Sequence, residues 1–125
     1  MYKRQDLRSY PGLAKAAPAY GLTAKELESR LGDLNPIERV GVLAKARVPA
    51  LLIHGDEDKV VPLKENSAAF VARYKAQGAE GIVTLIVAKG QGHNFWEGFF
   101  RCQELLDFAV ARAKAGQEAR EKGKD

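Results

Sequence analysis

The chain has 125 residues, of which 46% are hydrophobic and 29% charged, so it is long enough for one ordinary globular domain and too apolar for a disordered one. The net charge of +4 is modest, and the last twelve residues mix four Lys/Arg with three Asp/Glu, which makes a solvated helix end rather than a nucleic-acid-binding tail. No apolar run reaches the roughly 20 residues that span a bilayer, Met1 to Asp6 carries no apolar leader, and a single cysteine, Cys102, excludes an internal disulfide framework, so the reading is cytoplasmic unless a leader precedes residue 1.

Residues 1–22 read as an irregular segment. Pro11, Gly12, Pro18 and Gly21 interrupt any period, and Tyr2, Tyr10 and Tyr20 are scattered among them. Thr23-Ala24-Lys25-Glu26 then has capping-box spacing, followed by Leu27, Leu31 and Leu34 near helical period. Asn35-Pro36-Ile37-Glu38 repeats the start signal, with Asn as N-cap and Pro at the first helical position. Ile37, Val40, Leu43 and Ala44 share one side of that helix.

Val48 to Gly55 is a short apolar run ending in His54-Gly55, which predicts a strand buried on both faces. After the polar stretch Asp56 to Val61, a helix near 63–77 presents Leu63, Phe70, Val71 and Tyr74 and stops at Gly78. Ile82 to Ala88 is a second apolar run, so strand, helix and strand form a parallel βαβ unit. Lys89 to Gly98 is a glycine-punctuated loop. The last helix is expected over about 99–115, with Phe99, Cys102, Leu106, Ala109, Val110 and Ala113 as its stripe and Cys102 as a buried, inert thiol. A single partial α/β domain over 1–115, with a charged tail at 116–125, is the resulting organisation.

Two loops follow the carboxyl ends of the two predicted strands, the place where open parallel sheets carry their sites. The first is His54-Gly55-Asp56-Glu57-Asp58 and the second Gly90-Gln91-Gly92-His93-Asn94-Phe95. A carboxylate on one loop and a histidine on the next can meet, and an Asp that holds a His in one tautomer leaves the other ring nitrogen to accept a proton. Other readings exist for the same residues. Asp56, Glu57 and Asp58 also suit a solvated turn, and His93 between Gly92 and Asn94 suits a surface turn. His54, Asp56, Asp58 and His93 carry ligand types that suit zinc or manganese. His54 reads as the end of its strand, with its ring hydrogen-bonded nearby. Phe95, Trp96, Phe99 and Phe100 can wall an acyl pocket, although packing against the sheet is the expectation.

"LLIHGDEDKVVPLKENS" and "GQGHNF" resemble the acid loop and the histidine loop of the α/β-hydrolases, in particular the esterase and prolyl-oligopeptidase-like serine hydrolases. The resemblance covers about residues 35–110 and implies the C-terminal half of that fold. It maps the catalytic acid onto Asp58 and the catalytic base onto His93, in the family order Ser…Asp…His. The two lie 35 residues apart, room for one helix and one strand. It explains the same residues as a metal site would, so neither a metal nor a cofactor is expected. The departure is the nucleophile. The three serines, Ser9, Ser29 and Ser67, stand in none of the G-x-S-x-G contexts of the family's strand-to-helix elbow. The implied function is the acid-and-base portion of a hydrolase of small-molecule carboxylic esters or peptides, inactive alone. The alternative is a non-catalytic truncated remnant that folds as an oligomer. Two parallel strands make a thin sheet, so a missing N-terminal half or a second copy, most simply in a homodimer, is the expected partner. Neither nucleic acid nor membrane is.

Overall fold

The computed structural model describes residues 5–9 and 12–122. The expectations for Tyr2, Tyr10, Pro11 and the final residues of the tail lie outside that range. The chain divides into two compact units, 1–94 and 95–125.

In the first unit, the segment read as irregular contains two short helical turns, α1 (Leu13–Ala16) and a 3₁₀ turn (Ala17–Tyr20). The glycines and the proline punctuate these turns instead of abolishing them. Gly12 (φ +85°) enters α1, Pro18 sits in the first turn of the 3₁₀ helix, and Gly21 (φ +66°) closes it in the left-handed region that glycine tolerates. Leu7 and Ala17 are buried against Leu27, so this segment has a small core of its own.

Helix α2 (Ala24–Ser29) starts with the expected reciprocal cap. Glu26 N–H donates to Thr23 Oγ1, and Thr23 N–H donates to Glu26 Oε2 at 2.7 Å. Helix α3 (Leu31–Leu34) leads into α4 (Pro36–Lys45). Asn35 occupies the N-cap position of α4, but its side chain does not cap it. It is fully buried, accepts from Leu7 N–H and donates to Asp6 Oδ1, both at 3.0 Å. The free N–H of Ile37 in the first turn of α4 goes instead to the Gln5 carbonyl at 2.7 Å. The N-terminal segment therefore does the capping that the sequence assigned to Asn35.

The sheet has two strands among the described residues, β1 (Ala50–Gly55) and β2 (Val83–Ala88). They pair in parallel with Ala50 opposite Val83 and Gly55 opposite Ala88. The connection is a π-helical turn (Lys64–Ala68) running into α5 (Ala69–Lys75), and Gly78 (φ +62°) ends it as expected. The main core lies between α4, α5 and one face of this sheet. Ile37, Val40, Ala44, Tyr74 and Ala79 form it, with Ala50, Phe70, Ile82 and Val83 against it. Tyr74 is fully buried, stacks on Phe70 and donates its hydroxyl to the Val48 carbonyl at 2.8 Å. Leu43, expected on the core side of α4, is 41% exposed. The strands are also less buried than expected. Leu51, Leu52 and Ile53 are half-buried and Val87 is exposed, because a sheet of two strands cannot shield both of its own faces.

The second unit holds a 3₁₀ turn (Glu97–Phe99) and a 20-residue helix, α6 (Gln103–Lys122). Cys102 precedes α6, is half-buried and lies 3.2 Å from Glu104 Oε2, rather than sitting buried within a helix. The helix does not stop near residue 115. Ala, Arg, Glu, Lys and Gln around Gly116 are strong helix formers, and a Gln117–Glu121 hydrogen bond spans one turn. No described residue of α6 is buried. No helix among the described residues is long and apolar enough to cross a membrane.

Candidate active site

Both loops at the carboxyl end of the sheet belong to the first unit, and backbone chemistry joins them. Asp56 N–H donates to the Ala88 carbonyl, continuing the strand pairing by one residue, and Glu57 N–H donates to the Gln91 carbonyl at 3.0 Å. Asp56 Oδ1 accepts from Gly90 N–H at 2.7 Å, with Gly90 in the left-handed region (φ +69°). Gly55 makes this closeness possible. A Cβ there would run into the Gln91 carbonyl, so a side chain at residue 55 would push the two loops apart. Asp56 is thus a buckle between the loops, a role that its place in an acidic turn did not disclose.

On this platform Asp58 and His93 meet. His93 Nδ1 lies 2.9 Å from Asp58 Oδ2. The other carboxylate oxygen, Oδ1, accepts from Val60 N–H at 2.9 Å and Val61 N–H at 2.8 Å. Burial pushes the Asp58 carboxyl up, but the Val61 N–H, His93 and the Val60 N–H together outweigh it and hold the group below its ordinary range. The Asp58 side chain is 10% exposed and that of His93 24%, so the acid is sheltered and the imidazole reaches solvent. A carboxylate that accepts Nδ1–H fixes the neutral ring with its lone pair on Nε2, the form in which histidine takes a proton.

His54, at the end of β1, is buried next to Asp58. Its Nδ1 is 2.7 Å from Ser67 Oγ and its Nε2 2.8 Å from the Val61 carbonyl, as its reading as a hydrogen-bonded strand end requires. Its Nε2 is 3.7 Å from Asp58 Oδ2, too far for a hydrogen bond. Among the described residues no three His, Cys, Asp or Glu side chains converge as a metal site requires.

None of the three serines stands at a strand-to-helix elbow. Ser9 Oγ donates to the Asp6 carbonyl at 2.6 Å and Ser29 Oγ to the Glu26 carbonyl at 2.8 Å. Ser67 is buried in the π-helical turn. The aromatic stretch after His93, in the second unit, is not a core. Phe95 is 80% exposed and Phe100 67%. Trp96 folds over Gly98, where a Cβ would meet its ring, and packs edge-to-face on Phe99 at 5.4 Å.

A model of the prolyl oligopeptidase family matches residues 15–114. The chain belongs to that family. It therefore carries a partial α/β-hydrolase domain of the serine-hydrolase kind, and its two-stranded parallel sheet is consistent with part of that fold. No curated protein and no solved structure matches the chain.

Proposed function

We propose that this chain is the acid-and-base-bearing portion of a cytoplasmic serine hydrolase that cleaves carboxylic esters or peptides. Asp58 is the acid, His93 the base, and the nucleophilic serine comes from outside these 125 residues. The observation that carries this reading is the 2.9 Å contact between Asp58 and His93 on neighbouring loops at the carboxyl ends of two parallel strands.

In the reaction, a serine hydroxyl attacks the substrate carbonyl while His93 Nε2 takes its proton. The imidazolium returns that proton to the departing alcohol or amine, and water releases the acyl group by the same route. Asp58 remains ionised throughout, as its three hydrogen-bond donors favour. An acid and a base alone move protons but form no acyl intermediate, so the isolated chain is inactive. The chemistry calls for no cofactor. The half-buried strands are covered by another chain, either the nucleophile-bearing half or a second copy in a homodimer, and sedimentation at micromolar concentration reads which species forms.

Supplying the serine-bearing half tests the reading, either from the coding sequence ahead of residue 1 or in trans from another α/β-hydrolase. The assembled protein hydrolyses an activated acyl ester, His93→Ala abolishes turnover, and Asp58→Asn lowers it by about 10⁴-fold. Assembly without turnover identifies a non-catalytic remnant, and turnover that survives His93→Ala contradicts the assignment of His93 as the base. Labelling of Ser9, Ser29 or Ser67 in the isolated chain by a fluorophosphonate contradicts the assignment of the nucleophile to another segment.

A further inference from the structure

The buried Ser67–His54 pair has no part in the proton transfers above, yet its bond to the Val61 carbonyl ties it to the acid loop. The Val61 carbonyl can only accept, so His54 Nε2 carries the hydrogen of the 2.8 Å contact. In the neutral ring Nδ1 then holds the lone pair, and Ser67 Oγ–H donates to it at 2.7 Å. The direction of both bonds is therefore set by one carbonyl. His54 and Ser67 are 9% and 5% exposed, so water does not replace these partners cheaply.

Val61 connects this chain to the site. Its carbonyl accepts from His54, and its N–H donates to Asp58 Oδ1. The neighbouring Pro62 carbonyl accepts from Asn66 Nδ2 at 2.9 Å, so the backbone after Asp58 is held at two successive carbonyls by buried side chains from the end of β1 and the π-helical turn. We propose that His54 and Ser67 are positioning residues. Through the Val61 peptide they hold the loop that aims Asp58 at His93, and Ser67 spends its hydroxyl proton on this task rather than on nucleophilic attack.

The inference rests on the reading of Asp58 and His93 as acid and base, but its test does not require catalysis. Two substitutions separate the nitrogens of His54. His54→Gln places an amide where Nε2 stood and keeps a donor for Val61. His54→Asn places one where Nδ1 stood, keeps a partner for Ser67 and loses Val61. The readout is the titration of the Asp58 carboxyl by carbon NMR in the chain alone, with circular dichroism to confirm folding. In the unsubstituted chain its midpoint lies below the ordinary 3.8. His54→Asn moves it up toward that value, because the Val61 N–H is no longer held against the carboxylate. His54→Gln restores the low midpoint, which a general packing role for the ring would not predict. If His54→Asn fails to fold, Ser67→Ala carries the test. It removes one hydroxyl, loosens the ring and moves the midpoint in the same direction. An Asp58 midpoint unchanged in the folded His54→Asn variant, or in Ser67→Ala where that variant does not fold, overturns the proposal. So does His54→Gln behaving as His54→Asn does. Absence of turnover with the serine-bearing half supplied, in a chain whose Asp58 responds as described, removes the catalytic reading and leaves the positioning intact.

Discussion

The two units of the molecule use the same kind of helix in different ways. In the first, the stripes of α2, α4 and α5 bring Leu27, Ile37, Ala44 and Tyr74 to zero exposure. In the second, α6 is longer than any of these, and its Leu106 and Val110 remain 52% and 53% exposed. Tertiary contacts hold the first set. Composition and pairs one turn apart hold α6, such as Gln103 with Asp107 and Gln117 with Glu121. An apolar stripe at helical period thus marks a face that can be buried, and only the neighbours decide whether it is.

Substitutions can break or sharpen that contrast. The largest effect is expected from Ile37→Ala, which leaves a cavity in a closed core and costs about 2–5 kcal/mol in urea unfolding. Leu106→Ala is expected to cost less than about 0.5 kcal/mol, since that side chain is already half in water. Equal costs would mean that α6 belongs to a packed core. Next is Asn35→Ala. It leaves the buried Leu7 N–H without its acceptor and takes one donor from the Asp6 carboxylate, which keeps Arg8, costs about 1–3 kcal/mol, and exposes residues 5–9 to proteolysis before the rest of the unit unfolds.

Gly116→Ala acts on the other region. The residue has open space around its Cβ position, so the substitution stabilises α6 by about 0.5–1 kcal/mol, seen as slower amide exchange there and no change in residues 5–94. The smallest effect is in acid. A carboxyl held low in the folded state contributes stability above its unfolded value, and this is lost as pH falls through the folded one. Asp58 and Asp6 are both held low, Asp6 against its own burial by Arg8 and Asn35. Stability therefore declines below about pH 4, and Asp58→Asn makes that decline shallower without removing it, since Asp6 remains.

What was legible in the sequence follows the same division. The apolar runs ending at Gly55 and Ala88 announce parallel strands, and strand-end logic brings Asp58 and His93 to neighbouring loops because both depend on local pattern plus one topological rule. The roles of Asn35, Asn66 and Asp56 were not legible. An asparagine before Pro36 has the chemistry of a cap, and only the arrival of Asp6 and Leu7 beside it redirects its amide. Asn66 likewise accepts from the Gln5 and Asp6 N–H groups, which the sequence around it does not announce. Asp56 sits in a run of acids, and only its distance to Gly90 singles it out. The aromatic cluster at 95–100 misled for the opposite reason. Large apolar side chains predict burial only where something covers them, and Phe95 and Phe100 are exposed.

The tautomer of His93 tests the central pairing most directly. It can be read from the ring nitrogen resonances of the isolated chain at a pH where imidazole is neutral. The Asp58 contact predicts hydrogen on Nδ1 and the lone pair on Nε2, with Asp58→Ala shifting the population toward Nε2–H. Hydrogen already on Nε2 in the unsubstituted chain, with no response to Asp58→Ala, would contradict it.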